Sequence, residues 1–225
     1  MGSDDLFHKK KAKKAKELAR KKSKRESYDR VLIVCEGEKT EPNYFNELIR
    51  SYKLSSANVA VDGTSGSSPI SVFRRANELY ESERVKNIPF DKVYCVFDKD
   101  SHESYQETLD AISRKTPKNI FYACTSVPCF EFWLLLHYGY RQAPFHKTGN
   151  KSIGDKVVDE LKTYIPNYEK GMKDIFITLE SSLDDAIGYS KAIQKQALST
   201  GSDNPSTQIH ELVIYLRSLK STKGP

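Results

Sequence analysis

Two short apolar runs, Val31-Leu32-Ile33-Val34-Cys35 and Val93-Tyr94-Cys95-Val96-Phe97, constrain this chain more than any other feature. Neither alternates polar with apolar residues, so each reads as a strand covered on both faces, the situation of strands inside a parallel sheet. Each run is closed on its C-terminal side by acids, Glu36-Gly37 after the first and Asp98-Lys99-Asp100 after the second. Ligands of open parallel sheets gather at the carboxyl ends of the strands, where these acids stand.

The rest of the first 138 residues alternates strand and helix. The pattern predicts a helix over 41–52, a strand near 58–61, a Gly/Ser turn, a helix opened by Pro69 and running to about 84, a polar helix over 104–115, a strand over 119–125 and an apolar helix over 129–138. Four strands separated by helices imply an α/β fold with right-handed crossovers. After Tyr138 the pattern changes: helices are expected at 152–164, at 173–198 with a break near 180–183, and at 206–219, with no convincing strand. This part, 150–219, reads as a helical layer packed on the 28–138 core within one domain spanning 28–225.

Residues i and i+2 of an extended chain point to one side, so Asp98 and Asp100 are expected to converge while Lys99 points away. Two carboxylates about 5 Å apart repel by roughly 3 kcal/mol at an effective dielectric near 20, and a cation or a proton relieves that. Oxygen-only donors suit Mg²⁺ or Mn²⁺. Glu36, Asp98 and Asp100 are the expected metal ligands. The competing reading makes Asp98 and Asp100 the start of a solvated loop and Glu36 a turn residue. Glu131, a carboxylate in a Phe- and Leu-rich helix, either joins this cluster or offsets the helix dipole in the turn opened by Pro128.

The stretch VLIVCEGEKTEPNYF at 31–45, followed by VFDKDSH at 96–102, SVPCFEFWLLLH at 126–137, and Asn204-Pro205-Ser206-Thr207 with Leu212-Val213, resembles the RloB family. The resemblance covers roughly 28–219 and implies a Toprim-like (topoisomerase-primase type) parallel sheet flanked by helices, with a C-terminal helical layer. It also implies a nuclease component of bacterial anti-phage or restriction-linked systems, often encoded beside an ABC-type ATPase. Many Toprim domains carry an acid three residues beyond the Glu-Gly glycine, whereas Glu38 and Glu41 lie one and four beyond it here. Only Glu36 is carried over from that motif.

Charge is distributed unevenly. Residues 1–26 hold eleven Lys or Arg against four acids, whereas the remainder holds 25 basic and 26 acidic residues. The stretch from Lys9 to Arg25 is expected to be a flexible tail, over 1–27, that either attracts nucleic-acid phosphates in a salt-sensitive way or only aids solubility. No apolar run approaches the roughly 20 residues of a membrane span. The opening MGSDDLFHKKKAKK lacks the centre of a signal peptide, and Cys35, Cys95, Cys124 and Cys129 lack zinc or disulfide spacing. A cytoplasmic protein is expected. Gly37-Glu38-Lys39-Thr40 is no phosphate-binding P-loop, which needs glycine directly before the lysine.

These observations imply a Mg²⁺- or Mn²⁺-dependent phosphodiesterase acting on DNA or RNA. In it Glu36, Asp98 and Asp100 hold metal, Glu131 completes the set or positions water, Lys39 contacts the phosphate and His102 moves a proton. Two alternatives remain: a non-catalytic adaptor of an ATPase complex, and an enzyme for a small phosphate compound.

Overall fold

Both apolar runs become central strands of one sheet in the computed structural model, which describes residues 29–55, 58–100, 102–147 and 149–221. The strands are β1 (Val31–Cys35), β2 (Val59–Asp62), β3 (Lys92–Asp98), β4 (Phe121–Val127) and β5 (Ser206–Thr207), in the order β2-β1-β3-β4-β5. The first four are parallel, so the protein is α/β as the alternation predicts. The expected basic tail, Lys9 to Arg25, lies outside the described residues.

Both faces of β1 and β3 are covered, which explains why neither run alternates. Val31, Ile33, Cys35, Tyr94 and Val96 point into one apolar cluster, and Leu32, Val34, Val93, Cys95 and Phe97 into another. Helix α1 (Thr40–Ser51) supplies Tyr44, Phe45 and Leu48 to the first; α2 (Pro69–Val85) and α3 (Tyr105–Arg114) supply Val72, Ala76, Tyr80 and Ile112 to the second. Pro69 opens α2 as expected, and Ser68 and Ser71 close a reciprocal cap before it. All four cysteines are buried free thiols.

The apolar segment after β4 forms α4 (Glu131–Leu135) and a single tight turn (Leu136–Tyr138). The C-terminal layer is α5 (Ile153–Lys162), α6 (Ile175–Leu179), α7 (Leu183–Thr200) and α8 (Ile209–Ser221), with the anticipated break at Glu180–Ser182. It shares the first apolar cluster, so it is continuous with the core.

The sequence reading fails at the start of the last helix. Residues 206–207 are not helical but pair antiparallel with Ser126 and Val127 as β5. Two residues carry no periodicity, and here tertiary hydrogen bonds decide: the Ser126 and Thr207 hydroxyls lie 3.0 Å apart, and the Gln208 amide donates to the Thr125 carbonyl at 2.8 Å. No helix among the described residues is long and apolar enough to cross a membrane.

Candidate functional site

The chain steps from β1 outward to β2 and returns to β3 on the other side of β1, so the helices after β1 and β3 leave on opposite faces. A strand order of this kind opens a crevice at the carboxyl ends of β1 and β3. A cleft of about 400 Å³ lies there, and Glu36, Lys39, Asp98, Asp100, His102 and Glu131 all line it. Every residue proposed from sequence is therefore brought to one place.

Glu36 continues the β1–β3 ladder through its amide, which donates to the Val96 carbonyl at 3.0 Å. Its carboxylate turns back across the strand end: Oε2 accepts the Asp98 amide at 3.0 Å, and Oε1 lies 3.0 Å from His102 Nε2. Gly37 leaves room for the Glu41 carboxylate, since a Cβ there would stand 3.1 Å from Glu41 Cδ and push that side chain aside. Glu41, in the first turn of α1, thus reaches into the cleft beneath Gly37.

Asp98 ends β3 and accepts the Phe130 amide. Asp100 is exposed and has a φ of +32°, with its amide on the Pro128 carbonyl at 3.2 Å. The expected convergence of Asp98 and Asp100 by strand alternation is corrected accordingly: extension stops at Asp98, and Asp100 reaches the same cleft through a turn. Lys99 does point away, onto Asp203.

Glu131 begins α4 and is 2 % exposed, so it combines both readings: a first-turn acid whose carboxylate faces the cleft. Tyr168 donates its hydroxyl to Glu131 Oε1 at 3.1 Å, and Lys170 Nζ stands 3.7 Å from the same atom. Lys170 is held there by its loop. The Gly171 amide donates to Thr40 Oγ1 at 2.9 Å, and its carbonyl accepts Asn43 Nδ2 at 2.8 Å. Gly171 has a φ of +85°, and a Cβ on it would stand 2.8 Å from Lys39 Cβ, so glycine alone fits.

Charge is out of balance. Seven carboxyl groups line the cleft (Glu36, Glu38, Glu41, Asp98, Asp100, Glu131, Asp155) against two lysines, Lys39 and Lys170. Burial pushes Glu41 up to about 7, with Glu131 and Glu36 adding repulsion. Burial, then Glu41, Glu131 and Glu36, raises Asp98 well above the usual carboxylate range. Glu36 is also raised by burial, against the Asp98 amide and His102, which favour its charged form. Lys170 is raised, first by Glu131.

Among the described residues no three His, Cys, Asp or Glu side chains form a ready-made metal cage. Both Glu36 oxygens are engaged, one by an amide and one by His102. The donor set nevertheless fits a hard dication in chemistry and charge, being all carboxylate and mutually repelling. Sequence reasoning missed Glu41 as a cleft residue, and Tyr168 and Lys170 altogether. The position of Glu41, four residues past Gly37, hid its role, whereas its place at a helix start beside the motif was the usable signal. Tyr168 and Lys170 lie far along the chain, and only Pro166 and Gly171 mark a turn there.

Residues 31–216 match the family model of RloB-like proteins, and the chain belongs to that family. No curated protein and no solved structure matched it.

Proposed function

We propose that this RloB-like chain is a divalent-metal-dependent phosphodiesterase of Toprim type that cleaves nucleic acid. The observation that carries the reading is the seven-to-two excess of carboxyls over lysines in a cleft at the ends of β1 and β3, with Glu36, Glu41 and Asp98 held above their ordinary range. A purely structural site would balance its buried carboxylates fully; here amides, Tyr168, His102 and Lys170 partner several of them, yet Glu36, Glu41 and Asp98 stay raised. A phosphodiester would be repelled as well, unless a cation came with it.

Glu36, Glu41, Asp98 and Asp100 would hold Mg²⁺ or Mn²⁺, with Glu131 behind them. When bound, such an ion supplies Lewis-acid polarisation of phosphoryl oxygens and lowers the pKa of water. Lys39 and Lys170, both exposed at the rim, attract the phosphate and balance its charge. His102, within 3.0 Å of Glu36, is placed to accept or return a proton at Nε2 once Glu36 turns to its ligand role. Tyr168 orients Glu131. The chain's family resemblance adds anti-phage defence with an ABC-type ATPase as the setting.

Calorimetry with Mn²⁺ tests the reading. The wild-type chain should bind, and the Asp98→Ala, Asp100→Ala double variant should not; equal binding by both would place the site elsewhere. Cleavage of a pool of plasmid, single-stranded DNA and tRNA, with and without Mn²⁺ and the ATPase, then identifies the polymer.

A further inference from the structure

A second cleft, of about 450 Å³, opens beside the Asp98–Asp100 turn and shares no lining residue with the first. Lys99 enters it from between the two acids of the acidic cleft. Consecutive residues, Asp98, Lys99 and Asp100, thus line two different clefts.

The chemistry of the two clefts differs. Lys99 Nζ lies 2.9 and 2.7 Å from the two oxygens of Asp203, so the second cleft's lysine is matched by its aspartate. It offers a phosphate no spare cation. What it offers instead is an aromatic ring and amides. Tyr105 forms part of the wall, with Lys99 Nζ 5.6 Å from its ring centre. Gln208 Oε1 accepts both the Thr125 amide at 3.2 Å and the Thr125 hydroxyl at 3.0 Å, which fixes the orientation of the carboxamide. Its Nε2 donors have no protein acceptor among the described residues. Gln194 is fixed the opposite way, since its Nε2 donates to Glu211 at 2.8 Å and its Oε1 is left to accept. Leu198, 83 % exposed, forms an apolar lip.

A neutral opening with oriented donors, an oriented acceptor, an aromatic ring and an apolar edge suits a flat heterocycle bearing both donors and acceptors. Nucleobases have that character, and carboxamides read their edges. We propose that this second cleft receives the base of the nucleotide next to the cleaved phosphate, and that Gln208 and Gln194 set the base preference of cleavage. The proposal rests on the phosphodiesterase reading for its register and on the second cleft's own geometry for its ligand class.

Gln208→Glu is the sharpest variant, because a carboxylate still accepts from Thr125 while the amide donors disappear. Leu198→Trp blocks the opening from an exposed position that has no packing to lose. Mn²⁺-dependent cleavage of randomised single-stranded DNA and RNA, read by sequencing the ends, should show a preferred base beside the cut for the wild type. Both variants should reduce that preference by about tenfold, through slower cleavage at the preferred base. Unchanged preference in both variants, or no preference in the wild type, overturns the proposal. Titration of the full chain with single nucleosides, followed by NMR, separates the two readings. If the wild type cleaves nothing, the phosphodiesterase reading fails, while binding of a nucleoside that Gln208→Glu abolishes still supports the base cleft. Absence of nucleoside binding sinks the base cleft regardless of cleavage.

Discussion

Helix α1 carries two buried glutamates in opposite conditions. Glu47 is 3 % exposed and Glu41 6 %. Glu47 accepts the amides of Asp174 and Phe176, one on each oxygen, at 2.7 and 2.9 Å. It thereby caps the start of α6 and ties the C-terminal layer to the core, a structural use of a buried charge. Among the described residues Glu41 has only its own backbone amide as a hydrogen-bond partner, and burial, with repulsion from Glu131 and Glu36, drives it up to about 7. Burial alone therefore does not mark a site. The distinguishing property is charge left unbalanced where a ligand can enter, and that holds for Glu41 and fails for Glu47.

The largest expected effect is on chemistry at the unbalanced end. Glu36→Gln should lower cleavage about 10⁴-fold, roughly 5.5 kcal/mol of barrier, and Glu41→Gln about 10²-fold. Neither should lower thermal stability, because each removes a charge from a repelling group. Cleavage rates and melting curves on the same samples check both halves. A Glu41→Gln protein that cleaves at the wild-type rate would put Glu41 in the same class as Glu47 and erase the contrast.

Glu47→Ala should show the reverse pattern. Losing two charge-assisted hydrogen bonds and leaving the buried Phe176 amide without an acceptor costs about 3 kcal/mol, about 10 °C in melting temperature for a chain of this size. Turnover per folded molecule should change only a few-fold. A variant that melts like the wild type but does not cleave would show that Glu47 acts on the site and not on the fold.

His137 sharpens the comparison from the other side, as a buried group short of a partner with no cleft to serve. Its Nδ1 lies 3.0 Å from the Trp133 carbonyl and 3.2 Å from that of Leu134, and its Nε2 has no partner among the described residues. Burial lowers it from 6.5 to about 4, against those carbonyls. A depressed folded pKa means the unfolded chain binds the proton first as pH falls. The stability His137 contributes is thus complete above about 6.5 and lost as pH drops toward 4, by up to about 3 kcal/mol. The stability difference between wild type and His137→Gln should be flat above pH 7 and move against the wild type between 6.5 and 4. A flat difference across that range would mean that the imidazole is not neutral and buried. Cleavage should not follow this titration beyond the loss of folded protein.

What could be read in advance follows from where information sits in a chain. Covered parallel strands need unbroken apolar runs, so 31–35 and 93–97 declared themselves, and the acids that close them fell within a few residues of strand ends. Lys39 and His102 were legible for the same reason of proximity, and Glu131 because a carboxylate among Phe130, Phe132 and Trp133 demands a partner. The turn at Asp100 was not legible, since a positive φ on an aspartate leaves no compositional trace. Nor was β5, where Thr207 bonds Ser126 across 81 residues and the adjoining Gln208 bonds Thr125 across 83. Glu41 was hidden by register: its carboxylate fills the space that Gly37 leaves, a relation of volume which spacing alone does not encode.

The smallest effect concerns the loop that joins the two glutamates' neighbourhoods. Glu47 anchors Asp174 and Phe176 at one end of this loop, while Thr40 and Asn43 anchor Gly171, and Lys170 projects between those anchors and the cleft. Its ammonium stands 3.7 Å from Glu131, yet 68 % of its side chain remains exposed, so the ion pair itself contributes well under about 1 kcal/mol to stability. Lys170→Met should leave the melting temperature within about 2 °C and reduce turnover about tenfold, near 1.4 kcal/mol, through loss of a positive charge facing the phosphate. Lys170→Arg should recover part of that loss. If Lys170→Met instead melts like Glu47→Ala and turns over normally, the loop belongs to the structural half of the molecule, and the unbalanced half ends at Glu131.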